Sequence, residues 1–150
     1  MNNRKLFLPY FFFFIFMIFS TTLFAEDYTY SISGTSGWIK SPYNAISGKE
    51  LVIAARGSVK HSWMSGWHGP GGNSAAFCSD CRLTRRCNVA ALIMRIGNSK
   101  IYCIDPLISG PAPASGAIYF AINDVPLNDN DGSFTIKLSG PGVSIGGSRF

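Results

Sequence analysis

"SFTIKLSG", residues 133–140, alternates Phe134, Ile136 and Leu138 with Thr135, Lys137 and Ser139. A side-chain period of two puts the first three on one face of an extended strand and the other three on the opposite face, giving one buried and one wet side. Working outward, "LVIAAR" (51–56), "AALIMRIG" (90–97), "KIYCI" (100–104) and "AIYFAI" (117–122) are short runs rich in β-branched residues, separated by Gly, Pro, Asn and Ser. "YTYSIS" (28–33) and "GWIKSP" (37–42) continue the series. Beyond residue 25 no apolar pattern keeps a 3.6-residue period for three turns, so the class is all-β. Many short antiparallel strands with long turns pack most simply as two sheets face to face, a small jelly-roll β-sandwich. "GWHGPGGNS" (66–74) and "ISGPAPASG" (108–116) read as loops, and "GPGVSIGGSRF" (140–150) as a last edge strand or a fraying tail.

The first 25 residues have a different character. Met1 to Lys5 is short and basic, "LFLPYFFFFIFMIFS" is densely apolar, and "TTLFA" ends on a small residue before Glu26. That is the layout of a secretory signal peptide, with an uncleaved anchor as the rival. Residues 26–150 then form one domain. Setting Arg4 and Lys5 aside leaves 11 basic against 8 acidic residues, a net charge of +3. This diluted excess argues against a nucleic-acid partner, and the cluster Arg82, Arg85 and Arg86 reads as a solvated loop. Export, to the periplasm or beyond the cell, places Cys78, Cys81, Cys87 and Cys103 in an oxidising compartment, where two disulfides are expected with three connectivities open. Zinc on "CSDC" with Cys87 and a histidine is the alternative, although the usual second half of such a site is missing.

Three of the eight acids, Asp124, Asp129 and Asp131, lie with Asn123, Asn128 and Asn130 between the strands at 117–122 and 133–140. Clustered carboxylates repel unless they are hydrated or neutralised, and a hard cation taking about 6 to 8 oxygens neutralises them well. An ordinary polar turn is the plainer reading, because Asn, Asp and Gly favour turns for backbone reasons. An EF-hand is ruled out: with Gly132 at its sixth position, its first and twelfth would be Leu127 and Leu138. Any ion must therefore be completed from another segment.

In order, "ALIMRIGNS" (91–99), "GAIYFAINDVP" (116–126) and "NDGSFTIKLSG" (130–140) resemble the PA-IL-like galactophilic lectins, exported bacterial proteins that bind galactose through calcium. The likeness extends back through "SGKELVIAARGSVKHSWMSGW" (47–67) to "GPGG" (69–72), and covers about residues 28 to 140. The resemblance implies a calcium site in which Asp124, Asp129 and Asn130 ligate through side chains. The carbonyl of Asn128 or Leu127, and that of His61, would complete it. It also sets His61, Trp67, Asp124, Val125 and Asp129 against the sugar, with Asp124 and Asp129 accepting from its hydroxyls. The family's Asn is Asp at 129, which makes the site more negative. The likeness fails where the family carries His-Pro-x-x-Gln, since "GPGGNSAAFCSDCRLTRRC" (69–87) stands there and the chain holds no Gln. His68, Asn73 and the Arg82–Arg86 loop are candidate replacements. Trp63 and Trp67 read either as sugar-stacking faces or as core residues.

The function these residues imply is a secreted calcium-dependent lectin for galactose-type glycans, meeting membranes only through glycoconjugates and assembling as a dimer or tetramer. A calcium-stabilised structural or toxin-like domain that binds protein is the alternative. An enzyme is not expected: both histidines share one loop, and neither a nucleophile elbow nor carboxylates flanking a cleft can be found.

Overall fold

The alternating segment is the spine of one sheet. The computed structural model describes residues 26–76 and 78–147; the expected leader (1–25), Phe77 and residues 148–150 lie outside the described residues. Nine strands follow in order: β1 (Tyr28–Ser33), β2 (Ile39–Ala45), β3 (Glu50–Lys60), β4 (Leu92–Ile96), β5 (Tyr102–Cys103), β6 (Leu107–Pro111), β7 (Gly116–Ile122), β8 (Asp131–Ser139) and β9 (Val143–Ile145). They form a four-stranded sheet, β1-β8-β3-β6, and a five-stranded sheet, β5-β4-β7-β2-β9, with every pairing antiparallel. The chain is thus an all-β sandwich, as its period of two implies.

Phe134, Ile136 and Leu138 of β8 are fully buried. Their partners on β3 are Gly57, Ala55 and Ile53, so the largest side chain lies opposite the smallest residue. Gly57 has φ 109°, and a Cβ there would run into the Ser133 carbonyl oxygen, so only glycine fits. From the facing sheet Leu92, Met94, Ile96, Ile118, Phe120 and Ile122 close the same core. Burying each such side chain stabilises the fold by about 1.5–3 kcal/mol. The five-stranded sheet is covered outside as well: Cys87, Ala91, Ile93 and Ala121 form a small second cluster against Trp38 and Ile101. This explains the apolar runs Leu92–Met94 of β4 and Phe120–Ile122 of β7, whose residues are buried on both faces.

Three expectations need correction. The segment read as a loop at 108–116 contributes β6, an edge strand paired to β3 from Glu50↔Pro111 to Ala54↔Leu107. Gly110 and Pro111 hid it, but an edge strand tolerates both because one of its sides carries no ladder. The strand expected from residue 90 starts at Leu92, since Ala90 takes φ 60°. The strand at 100–104 shrinks to Tyr102–Cys103. The tail does form a short edge strand, β9, beside β2. Cys78 pairs with Cys81 and Cys87 with Cys103, leaving no free thiol for zinc.

Candidate functional site

Three connections meet at one end of the sandwich. The Lys60↔Asp131, Ser33↔Ser133 and Leu92↔Ile122 pairs bring residues 34–38, 61–91 and 123–130 together there. The last of these connections leaves β7 in one sheet and enters β8 in the other, so the acidic loop spans the gap between the sheets.

Within that loop neighbouring residues point to different tasks. Asn123 is fully buried and faces the cysteine-rich segment. Its Oδ1 accepts from the Thr84 N–H at 2.9 Å, and its Nδ2 donates to the carbonyls of Thr84, Cys87 and Asn88 at 2.9–3.0 Å. Asn123 therefore clips residues 84–88 to the end of β7, a role the sequence did not disclose. The Val125 N–H donates to the Cys81 carbonyl at 3.2 Å and extends the same seam. The Val125–Pro126 peptide is cis, and Val125 is exposed.

Asp124 is only 2% exposed, and its Oδ2 is enclosed with no hydrogen-bond partner among the described residues. Burial pushes its carboxyl up to about 6, the Asn130 side chain and the Val125 N–H pull it back down, and the charge of Asp129 raises it further. Asp124, Asp129 and Asn130 thus share one electrostatic neighbourhood. Asn130 is oriented by donating from Nδ2 to the Gly34 carbonyl at 2.8 Å, and its own Oδ1 is likewise enclosed without a donor. Gly34 allows this approach, because a Cβ there would stand 2.8 Å from the Asp131 carbonyl oxygen. Asn128 and Asp129 are exposed on the outer turn. The Leu127 carbonyl accepts from the Asn130 N–H at 3.3 Å, which leaves that of Asn128 as the freer of the two expected carbonyls.

Asp131 stands apart from this group. It is exposed, accepts from the Gly132 N–H at 2.7 Å and pairs with Lys60 at 3.6 Å, so the third acid belongs to the start of β8. Among the described residues no three His, Cys, Asp or Glu side chains come close enough together to form a metal site by themselves. A site here has two acids and must draw on amide and backbone oxygens.

His61 directly follows Lys60, whose strand partner Asp131 directly follows Asn130. Its N–H donates to Ser65 Oγ at 2.9 Å, and its ring Nε2 lies 3.1 Å from Asn73 Nδ2. The ring is therefore engaged with Asn73, and the backbone carbonyl is the group left to act. His68 is held by backbone bonds to Val59 in both directions. Its ring lies 5.7 Å from that of His61, its Nε2 is enclosed without a partner, and burial followed by the His61 charge pushes its pKa down. Trp67 is 56% exposed and packs over Gly132, where a Cβ would come within 2.6 Å of its Cζ3. Lys60 Nζ stands 5.3 Å from the Trp67 ring centroid.

The loop thus brings Asp124, Asp129 and Asn130 together, while His61 follows the end of β3 that pairs with the start of β8 and Trp67 packs over Gly132 of β8. A separate concavity of about 500 Å³, lined by Thr29, Arg56, Thr135 and Lys137 among others, lies on the outer face of the four-stranded sheet and contains none of these residues.

No family model matches the chain, and no curated protein matches it. Among solved structures it is similar to the EclA N-terminal domain, a PllA-like lectin, with a TM-score of 0.59 and 18% identity. The likeness covers 75% of this chain and 94% of that domain. At that identity the shared property is the fold, which agrees with the two-sheet architecture.

Proposed function

We propose that the protein is a calcium-dependent, carbohydrate-binding lectin with no catalytic chemistry. One observation carries the reading: Asp124 Oδ2 and Asn130 Oδ1, two enclosed acceptors near Asp129, have no donor among the described residues. Buried polar atoms are rarely left unpaired, and a carboxylate and an amide acceptor with a second carboxylate nearby suit a hard, oxygen-seeking cation. Asp124, Asp129 and Asn130 would hold calcium through side chains, with His61 and Asn128 offering carbonyls. When bound, calcium supplies coordination positions that sugar hydroxyl oxygens can occupy. The chain's own part is to fix the acceptors: Gly34 orients Asn130, and the Val125 N–H steadies Asp124. The two disulfides suit the oxidising environment of an exported protein.

Calorimetric titration with calcium, followed by a glycan array with and without chelator, tests the reading. Uptake near one ion per chain, lost in Asp124→Ala/Asp129→Ala, is expected. No uptake by the wild type would overturn it. Galactosides are the first sugars to examine, on the resemblance alone.

A second reading is favoured by the segment 78–88, closed by Cys78–Cys81 and clipped by Asn123 in the region where the family's His-Pro-x-x-Gln would stand. In it the ion only braces the fold and the partner is a protein. A chelator that lowers the melting temperature while every glycan fails to bind would select this reading.

A further inference from the structure

We infer that Trp63, together with Trp67, forms a second subsite that stacks the sugar ring following the one held beside Asp124 and Asn130, so that the ligand is an oligosaccharide. This inference rests on the lectin reading above.

Trp63 is 80% exposed, Met64 75% and Trp67 56%, three large apolar side chains within five residues. Exposed apolar groups clustered in this way mark binding surfaces. The segment is held by its own serines. Ser65 Oγ accepts from the His61 and Ser62 N–H groups at 2.9 and 3.1 Å and donates to the Ser62 carbonyl at 3.1 Å. Ser62 Oγ in turn accepts from the Ser65 N–H at 3.0 Å. A turn tied at four points presents its indole with less ordering entropy left to lose on binding. It begins at His61, the residue after the Lys60↔Asp131 pair, and Asp131 follows Asn130, so Trp63 stands three residues along the chain from the end of β3 that pairs beside the acidic loop.

The surroundings select the ligand chemistry. Lys60, paired with Asp131, stands over the Trp67 ring, and Ser65 lies between the two indoles in sequence. A pyranose has the matching character: C–H groups on one face for the indole, and hydroxyls around the rim for charged and polar neighbours. A lipid chain would strip water from Lys60 and Asp131 without replacing those hydrogen bonds, a net cost.

The test uses the full chain with calcium, comparing methyl α-galactoside, methyl α-mannoside and methyl α-fucoside, each against a disaccharide carrying the same terminal residue. For the sugar that binds, wild type prefers the disaccharide. Trp63→Ala lowers disaccharide affinity about three- to tenfold, the effect of one aromatic contact. Monosaccharide affinity and calcium uptake stay unchanged, and Trp63→Phe restores most of the loss. The inference is overturned if Trp63→Ala weakens both ligands equally or neither, if wild type shows no disaccharide preference, or if calcium binds and no glycan does. It is also overturned if phosphatidylcholine–phosphatidylglycerol vesicles bind through Trp63 while the sugar preference is unaffected. Failure of the lectin reading itself looks different, because wild type then binds neither monosaccharide nor disaccharide, whether or not it takes up calcium, whereas failure of the subsite alone leaves monosaccharide binding intact.

Discussion

Asp124→Asn is expected to stabilise the metal-free protein while removing its response to calcium. Burial pushes the Asp124 carboxyl from an ordinary 3.8 up to about 6. Below about pH 4 the group is protonated in both folded and unfolded chains and carries no penalty. As the pH rises the unfolded chain ionises first, so stability falls until the folded carboxyl also ionises, near pH 6. At about 1.4 kcal/mol per pH unit, the ionised group costs the ion-free fold roughly 3 kcal/mol at pH 7. An asparagine keeps the shape and drops the charge. At roughly 4 °C per kcal/mol for a domain of this size, the variant should melt on the order of 10 °C higher in chelator at pH 7. Wild type should regain about 2.7 kcal/mol when calcium reaches a hundred times its Kd, and the variant nothing. Scanning calorimetry from pH 4 to 8, with chelator and with calcium, reads both effects. A variant less stable than wild type in chelator at pH 7, yet still stabilised by calcium, would refute the reasoning at both steps.

Other substitutions examine the supporting structure. Asn123→Ala removes four hydrogen bonds that hold residues 84–88, and at about 1 kcal/mol each the loss should reach several kcal/mol, with faster proteolysis of the 78–88 segment. Replacing Cys87 and Cys103 by Ala opens a loop of separation 16 and uncovers Ile93 and Ala121, lowering stability by about 3 kcal/mol in denaturant titration. Gly132→Ala strains a residue at φ 89° and displaces the Trp67 ring, so stability should fall by more than about 1 kcal/mol with a shift in indole fluorescence.

What was legible in the sequence depended on how local its cause was. β8 could be read because alternation records which face is wet, and β3 and β7 because short runs rich in apolar and β-branched residues are set off by Gly, Pro, Asn and Ser. β6 was missed because its Gly and Pro make sense only once one side of the strand is known to be free. The grouping of Asp124, Asp129 and Asn130 was visible because a single loop carries all three. The separate duties of their neighbours were not. Asn123 is defined by partners 35 to 39 residues away, and Asp131 by Lys60 on the adjacent strand. The disulfide pairing is equally non-local, since four cysteines in sequence do not state which two approach.

Because the stretch from Asn123 to Asn130 is one of the bridges by which the chain passes from the five-stranded layer to the four-stranded one, whatever occupies it acts as a rivet between the layers. Gly34, which belongs to the four-stranded side, is tied to that bridge through Asn130. Saturating the rivet should therefore slow amide exchange at the near ends of β1, β4, β7 and β8 together, while the turn joining β8 to β9 at the far end keeps its original rate. Occupancy then becomes readable as a gradient of rigidity along the long axis of the sandwich.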